Sequence, residues 1–340
     1  MSEAASRPIR VLLAVDFSAE IVQSLQAISD RLVIERHFPD VPDSAYAEAE
    51  ILYTMRQLPN PGQVPQLRWL HWHFAGVERL LRRPIARIET IELTNTSGIH
   101  ATQIAEYCLA MMLAFMVQLP RLAQLKAQRQ WPENPPELFS PHGLRGLTLG
   151  IVGYGSLGRE LARCAHAFGL TVLAVKRDVK HPADIEGYTE PNTGDPAGDI
   201  PERLYPPQAV GSMARECDFL VVTVPLTDQT RHLIDEATLQ QMKNTAIFIN
   251  VARGNVVDEA ALIAALTTKK IAGAALDVFE EEPLPASSPL WPLENVIISP
   301  HVSGNTSRYQ EKAAALFAEN LRRYVENRPL LNRVNRERGY

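Results

Sequence analysis

The sequence predicts an α/β chain of two domains, each organised around a parallel sheet. Short apolar runs alternate with helical patterns throughout, as βαβ units require. The runs separate into two series, before and after a long apolar helix. A length of 340 residues also exceeds what one hydrophobic core comfortably fills, so two domains of ordinary size are expected.

The first series places strands over 10–15, 32–36, 51–55, 67–71 and 91–93, joined by polar or proline-containing connectors such as 58–65. The helix expected next, over 104–119, reads IAEYCLAMMLAFMVQL. It is too short for a bilayer and carries Glu106, so it is a buried helix and not a span. The second series places six strands, over 147–152, 171–175, 219–224, 246–251, 272–276 and 296–299. Helices over 157–168, 236–242 and 259–266 lie between them. The final helix, 306–327, has no strand after it and is expected to return to the first series. The domains are therefore expected at 1–102 plus 305–340 and at 103–304, with the active site in the cleft between them. Two irregular stretches, 121–144 with Trp131 and 177–207 rich in Pro, Gly and Asp, read as long surface loops.

Composition narrows the function. A formal net charge of -5 gives no general attraction to nucleic acid or an anionic membrane. Cys108, Cys164 and Cys217 are scattered without CxxC spacing and read as reduced core residues, not as a zinc site or a disulfide framework. His71, His73 and His100 have no carboxylate or cysteine at ligand spacing, so no metal is expected. The N-terminal stretch reaches Asp16 before any apolar run long enough for a signal peptide, and a cytoplasmic protein is expected.

Directly after an apolar strand, GIVGYGSLG at 150–158 sets Gly153, Gly155 and Gly158 at GxGxxG spacing. A dinucleotide pyrophosphate asks for glycine three times. Gly153 makes a tight turn, Gly155 lets the backbone approach the phosphates, and Gly158 lets helix pack on strand. The helix opening at Ser156 and Leu157 aims its unpaired amides at the phosphate. Six strands are the number such a sheet uses, so both domains are read as Rossmann-like or flavodoxin-like.

At carboxyl ends of the second series stand Arg253 in NVARG, Glu282 in LDVFEEEPLP and His301 in IISPH. Together with the glycine fingerprint and TNTSGIHATQIAEY at 94–107, these segments resemble the D-isomer-specific 2-hydroxyacid dehydrogenases, whose motifs recur in this order over about 67–329. The resemblance implies NAD(P)-dependent reduction of a small 2-oxo acid, such as glyoxylate or hydroxypyruvate, to the D-2-hydroxy acid. In that role His301 is the acid/base, Glu282 its partner, and Arg253 the residue that binds the substrate carboxylate and 2-oxo oxygen. The residue types suit the work: imidazolium donates a proton near neutral pH, a carboxylate beside it favours the charged ring, and a guanidinium fork matches a carboxylate.

The same resemblance implies that Ala75 and Gly76, in HWHFAGVE at 71–78, offer backbone amides to the substrate carboxylate. It places Val224, Pro225 and Thr230 along the adenosine, Val251 and Ala252 along the nicotinamide, and Asp277 facing the nicotinamide. It also implies a homodimer, to which 104–119 and 121–144 would contribute. Two other readings stay open at this stage: a non-catalytic, dinucleotide-sensing binder like the family's transcriptional corepressors, and relatives that oxidise formate or phosphite.

An NAD site usually carries an acid at the end of the second strand to bind the ribose hydroxyls. Here TVLAV at 171–175 runs into Lys176 and Arg177, with Asp178 only after them. Two cations at that place attract a 2′-phosphate and remove the repulsion that excludes it, so NADP(H) is expected over NAD(H).

Overall fold

In the computed structural model, which describes residues 7–140, 143–184 and 187–340, the apolar runs form two parallel sheets. The first holds β1 (Ile9–Ala14), β2 (Leu32–Arg36), β3 (Ile51–Thr54), β4 (Trp69–Trp72) and β5 (Glu92–Asn95), in the order β2-β1-β3-β4-β5. This is the flavodoxin-like order. Strands β3 and β4 are buried along their whole length, as expected of central strands covered on both faces. Leu12, Leu52, Leu70, Trp72 and Leu93 fill one face. Phe17, Tyr53 and Trp69 fill the other, together with Phe317 and Leu321 of the helix Tyr309–Val325. That helix therefore packs on the first sheet although it follows the last strand of the second.

The second sheet holds β6 (Thr148–Val152), β7 (Thr171–Val175), β8 (Arg203–Tyr205), β9 (Phe219–Val222), β10 (Ile247–Asn250), β11 (Gly273–Leu276) and β12 (Val296–Ile298). Its order is β12-β11-β10-β9-β6-β7-β8, the doubly wound arrangement with β6 and β9 flanking the point where the order reverses. Seven strands replace the six expected. The added one, β8, lies inside the stretch read as a surface loop; it has three residues and pairs only with β7, too short to show a period.

The remainder of that stretch is not a plain surface loop either. Arg159 is buried on the fingerprint helix Ser156–Ala167 and its guanidinium donates to the carbonyls of Pro182 and Asp195. The Asp195 carboxylate accepts from the amides of Gly198, Asp199 and Ile200 and from the Tyr154 hydroxyl. Glu160 accepts from the Gly194 amide at 2.6 Å. Neither Arg159 nor Glu160 was singled out in the sequence.

The apolar helix expected over 104–119 is Ala101–Met116; a second helix, Leu119–Gln128, follows at a bend of 62° after Gln118 takes a left-handed conformation, and it falls mostly in the stretch from 121 read as a surface loop. No single helix among the described residues is long and apolar enough to cross a membrane. A short helix, Pro135–Leu138, follows within the 121–144 stretch, whose residues 141 and 142 lie outside the described ones. Residues 185 and 186 of the 177–207 stretch, and the first six of the N-terminal segment, lie outside them too.

The chain divides into two compact units. One runs to Ile99 and adds a short segment at Tyr188 and Thr306–Tyr340; the other runs from His100 to Asn305 apart from that segment. Tyr188 is tied into the first unit through its amide, which donates to Asn332 Oδ1 at 2.8 Å.

The first sheet buries a polar seam. Thr94 Oγ1 is shared by the Trp69 indole and His71 Nδ1, each at 2.7 Å, and Tyr53 OH pairs with His73 Nδ1 at 2.7 Å. Burial, and then the neighbouring His73, lower the His71 pKa from 6.5 to about 3. Between those values the unfolded chain binds more protons than the folded one. The stability tied to neutral His71 is therefore complete above pH 6.5 and is lost as pH falls toward 3, at ~1.4 kcal/mol per pH unit. Urea denaturation of wild type and His71→Phe between pH 7.5 and 5 checks this: the variant is expected to show the shallower loss. An equal slope in both would rule the histidine out as its source.

Candidate active site

The glycine turn follows β6. Gly153 has φ +111, which only glycine adopts without strain, and a Cβ there would sit 2.8 Å from Val224 Cγ1. A Cβ on Gly158 would lie 2.2 Å from the Gly153 carbonyl oxygen, so helix and turn touch backbone to backbone. Gly155, by contrast, faces open space. It caps the helix Ser156–Ala167 without a side-chain hydrogen bond, which leaves the first amides, at Ser156 and Leu157 onward, for an anion. Tight, open and tight again is the spacing that a pyrophosphate fits.

At the end of β7 the half-buried Lys176 has its pKa lowered by burial and then by the Arg159 cation. Arg177 follows it. Asp178 is occupied elsewhere: its Oδ1 accepts from the amides of Lys180 and His181 at 3.1 and 3.3 Å, and its Oδ2 pairs with His181 Nδ1 at 2.7 Å. The His181 bond, foremost, lowers the Asp178 pKa. Beyond β9, Thr230 Oγ1 donates to the Pro225 carbonyl at 2.6 Å and accepts from the Thr227 amide, closing the loop that Val224 opens.

After β10, Val251 and Ala252 are buried, and Asn250 ties the turn by accepting from the Ala252 amide and donating to the Arg253 carbonyl. Arg253 Nη1 donates to the Ala252 carbonyl at 2.8 Å. Next to it a Cβ on Gly254 would fall 1.8 Å from the Phe279 carbonyl carbon. Only glycine permits that approach, and it sets the Arg253 turn against the turn that carries Glu282. Glu282 Oε1 accepts from the Phe279 amide at 3.1 Å, and Oε2 stands 2.7 Å from His301 Nδ1. With Nδ1 engaged, Nε2 is the ring nitrogen left for proton transfer.

His301 itself is held in a left-handed conformation, φ 55. The register Leu276 with Ile298 sets Asp277, just past β11, beside the segment 299–303. Asp277 is buried, and its carboxylate accepts from Ser299 Oγ at 2.5 Å and from the amides of Val302 and Ser303 at 2.8 and 2.9 Å. The His301 amide donates to the Asp277 carbonyl at 2.9 Å, and Tyr107 OH pairs with Ser299 Oγ at 2.6 Å. Asp277, expected to face the nicotinamide, thus has both carboxylate oxygens engaged in shaping the histidine turn. Tyr107, Ser299 and Gly254 were not singled out in the sequence; an Asp ending one strand beside Ser-Pro-His ending its neighbour is the signal that could have found the anchor.

The structure brings Glu282 and His301 into contact and sets Arg253 on the adjoining turn. Ala75 and Gly76 belong to the other unit and follow β4. Of the histidines considered as a metal set, His71 and His73 lie in that unit, whereas His100 Nδ1 meets the Gly304 carbonyl at 3.0 Å. Among the described residues no three His, Cys, Asp or Glu side chains gather as a metal site.

Residues 109–303 match the family model described as D-isomer specific 2-hydroxyacid dehydrogenase, NAD binding domain. A glyoxylate reductase of Aeropyrum pernix is 32% identical over 96% of this chain and 96% of its own. One from Thermococcus gammatolerans is 33% identical over 89% of this chain and 88% of its own. Among solved structures, a D-isomer specific 2-hydroxyacid dehydrogenase from Xanthobacter autotrophicus, in complex with NADPH and MES, superposes with TM-score 0.78 at 28% identity, covering 98% of this chain and 100% of that one. The family model falls on the fingerprint and on the Arg253, Glu282 and His301 turns alike, and the chain belongs to the D-isomer specific 2-hydroxyacid dehydrogenases, a family of NAD(P)-dependent oxidoreductases.

Proposed function

We propose that the chain reduces a small 2-oxo acid, of the glyoxylate or hydroxypyruvate kind, to the D-2-hydroxy acid with NADPH, as a homodimer in the cytoplasm. The observation that carries the reading is the 2.7 Å contact of Glu282 Oε2 with His301 Nδ1 at the carboxyl edge of a dinucleotide-binding sheet. A bound reduced nicotinamide supplies the hydride to C2. His301 gives the 2-oxo oxygen its proton from Nε2, while Glu282 keeps Nδ1 protonated and the ring oriented. Arg253 takes the substrate carboxylate and polarises the 2-oxo group with its guanidinium. Gly153, Gly155, Ser156, Leu157 and Gly158 cradle the pyrophosphate; Val224, Pro225 and Thr230 line the adenosine side, and Val251 and Ala252 the nicotinamide side. The unit with the first sheet binds substrate through the loop at Ala75 and Gly76.

The preference for NADPH rests on Lys176 and Arg177 and on the engagement of Asp178 with His181. The NADPH complex of the Xanthobacter autotrophicus relative supports it. The glyoxylate reductase relatives support the substrate class. The three cysteines are unpaired, in keeping with a reducing compartment.

For the homodimer, Leu113, Val117, Leu119, Leu122 and Trp131 are exposed on and just after the bent helix pair, Trp131 by 89%. So much apolar surface on one arm favours a partner, and a second copy is the commonest one.

Three measurements test these readings. His301→Ala is expected to lower the reductive kcat by roughly 10²–10⁴-fold while the dissociation constant for NADPH stays as in wild type. Near-wild-type turnover by the variant would remove His301 from the mechanism. Turnover compared with the two cofactors is expected to favour NADPH, and Lys176→Asp to weaken NADPH more than NADH; a clear NADH preference in wild type reverses the cofactor assignment. Light scattering on the purified protein is expected to give twice the chain mass, and a stable monomer would count against the dimer.

A further inference from the structure

The loop after β4 is gripped by its carbonyl oxygens. Thr96 Oγ1 and Tyr309 OH both donate to the His73 carbonyl, at 2.7 and 2.8 Å. Asn95 Nδ2 donates to the Ala75 carbonyl at 2.9 Å, and the Trp72 indole Nε1 donates to the Gly76 carbonyl at 2.9 Å. The donors are fixed in turn. Asn95, Trp72 and Thr96 are buried at or just past the ends of β4 and β5. Asn95 Oδ1 accepts from the Ser97 amide at 3.0 Å, and its backbone exchanges hydrogen bonds with Asn332 on both sides.

A trans peptide is planar, so the carbonyl of one residue and the N–H of the next point in opposite directions. Asn95 draws the Ala75 carbonyl toward the strand ends and thereby turns the Gly76 N–H the other way. Trp72, by holding the Gly76 carbonyl, fixes the second peptide of the same glycine. Gly76 is thus constrained at both its peptides, where a free glycine would sample many orientations.

We propose that Asn95 and Trp72 are positioning residues for the carboxylate of the substrate: they act through the two peptides of Gly76 and hold its N–H ready for an anion. The inference rests on the proposed reduction of a 2-oxo acid. Neither side chain touches the substrate. Removing the Asn95 donor leaves the Ala75 carbonyl without that partner and frees the peptide to rotate, so the loss falls on recognition of negative charge and not on hydride transfer.

The test compares glyoxylate with its neutral methyl ester as substrates for wild type, Asn95→Ala and Trp72→Phe. Each variant is expected to lose roughly tenfold of the preference for acid over ester in kcat/KM, mainly through KM for the acid, in line with one hydrogen bond to a charged group. The dissociation constant for NADPH, read by fluorescence titration, is expected to be unchanged. Variants that lose acid and ester equally, or that keep the wild-type preference, overturn the inference. Should Asn95→Ala fail to fold, Trp72→Phe, which removes the indole donor while keeping an aromatic side chain, decides by its acid-over-ester preference. A wild type that reduces no 2-oxo acid overturns the functional reading and this inference with it, whereas reduction with wild-type preference in both variants overturns only the inference.

Discussion

The candidate active site depends on one buried carboxylate. Asp277 lies in the interior of the second unit, where an uncompensated charge costs several kcal/mol. It is compensated by one hydroxyl and two amides, all from the segment 299–303. Each such bond to a charged acceptor contributes on the order of 1.5–3 kcal/mol. The set is strong enough to hold His301 at φ 55, a conformation that disfavours a side-chain-bearing residue by about 1–2 kcal/mol. The strained backbone is thus stabilised by the anchor, and the result is an imidazole aimed at Glu282. Tyr107 extends the same network from the helix Ala101–Met116 through Ser299, so the acid/base turn is tied to the core helix of its unit.

The end of β7 follows a different logic. Lys176 and Arg177 bring charge there, and the exposed Asp178 to His181 pair adds little to stability. What gives the region shape is Arg159, whose buried guanidinium donates to two loop carbonyls while its Nε faces Asp184 at 3.8 Å. The side chain comes from the residue after the last fingerprint glycine. The same helix whose first amides are left for an anion therefore also fastens the segment that follows β7, so the glycine turn and that segment are shaped from one short element.

Much of this was legible in the chain. The strands were readable because both sheets are parallel and covered on both faces, which writes them as continuous apolar runs. The fingerprint was readable because two of its three glycines are required locally, Gly153 by its φ of +111 and Gly158 by a 2.2 Å approach to the Gly153 carbonyl oxygen. Arg253, Glu282 and His301 stood out because they end strands. Strand β8 did not, since three residues pairing on one side leave no pattern. Nor did the helix Leu119–Gln128, which follows the left-handed Gln118 and buries no residue of its own, so that it carries no core-facing apolar run. Asp277 was visible as a strand-end acid, but its direction is a matter of register between β11 and β12, and register is a property of the pair.

Both units solve the same problem at strand ends with bonds of different strength. In the second unit a charged acceptor collects amides and fixes His301, the proposed proton donor. In the first, neutral donors collect carbonyls and fix a glycine. Neutral pairs contribute about 0.5–1.5 kcal/mol each, roughly half the charged ones. The division suits the chemistry. The proposed proton transfer would demand that His301 hold its distance and angle through the reaction, since small misplacements cost rate steeply. A loop proposed to receive a carboxylate would gain from a softer hold, because the anion would complete the site on arrival and add the charge-assisted bonds the loop lacks without it.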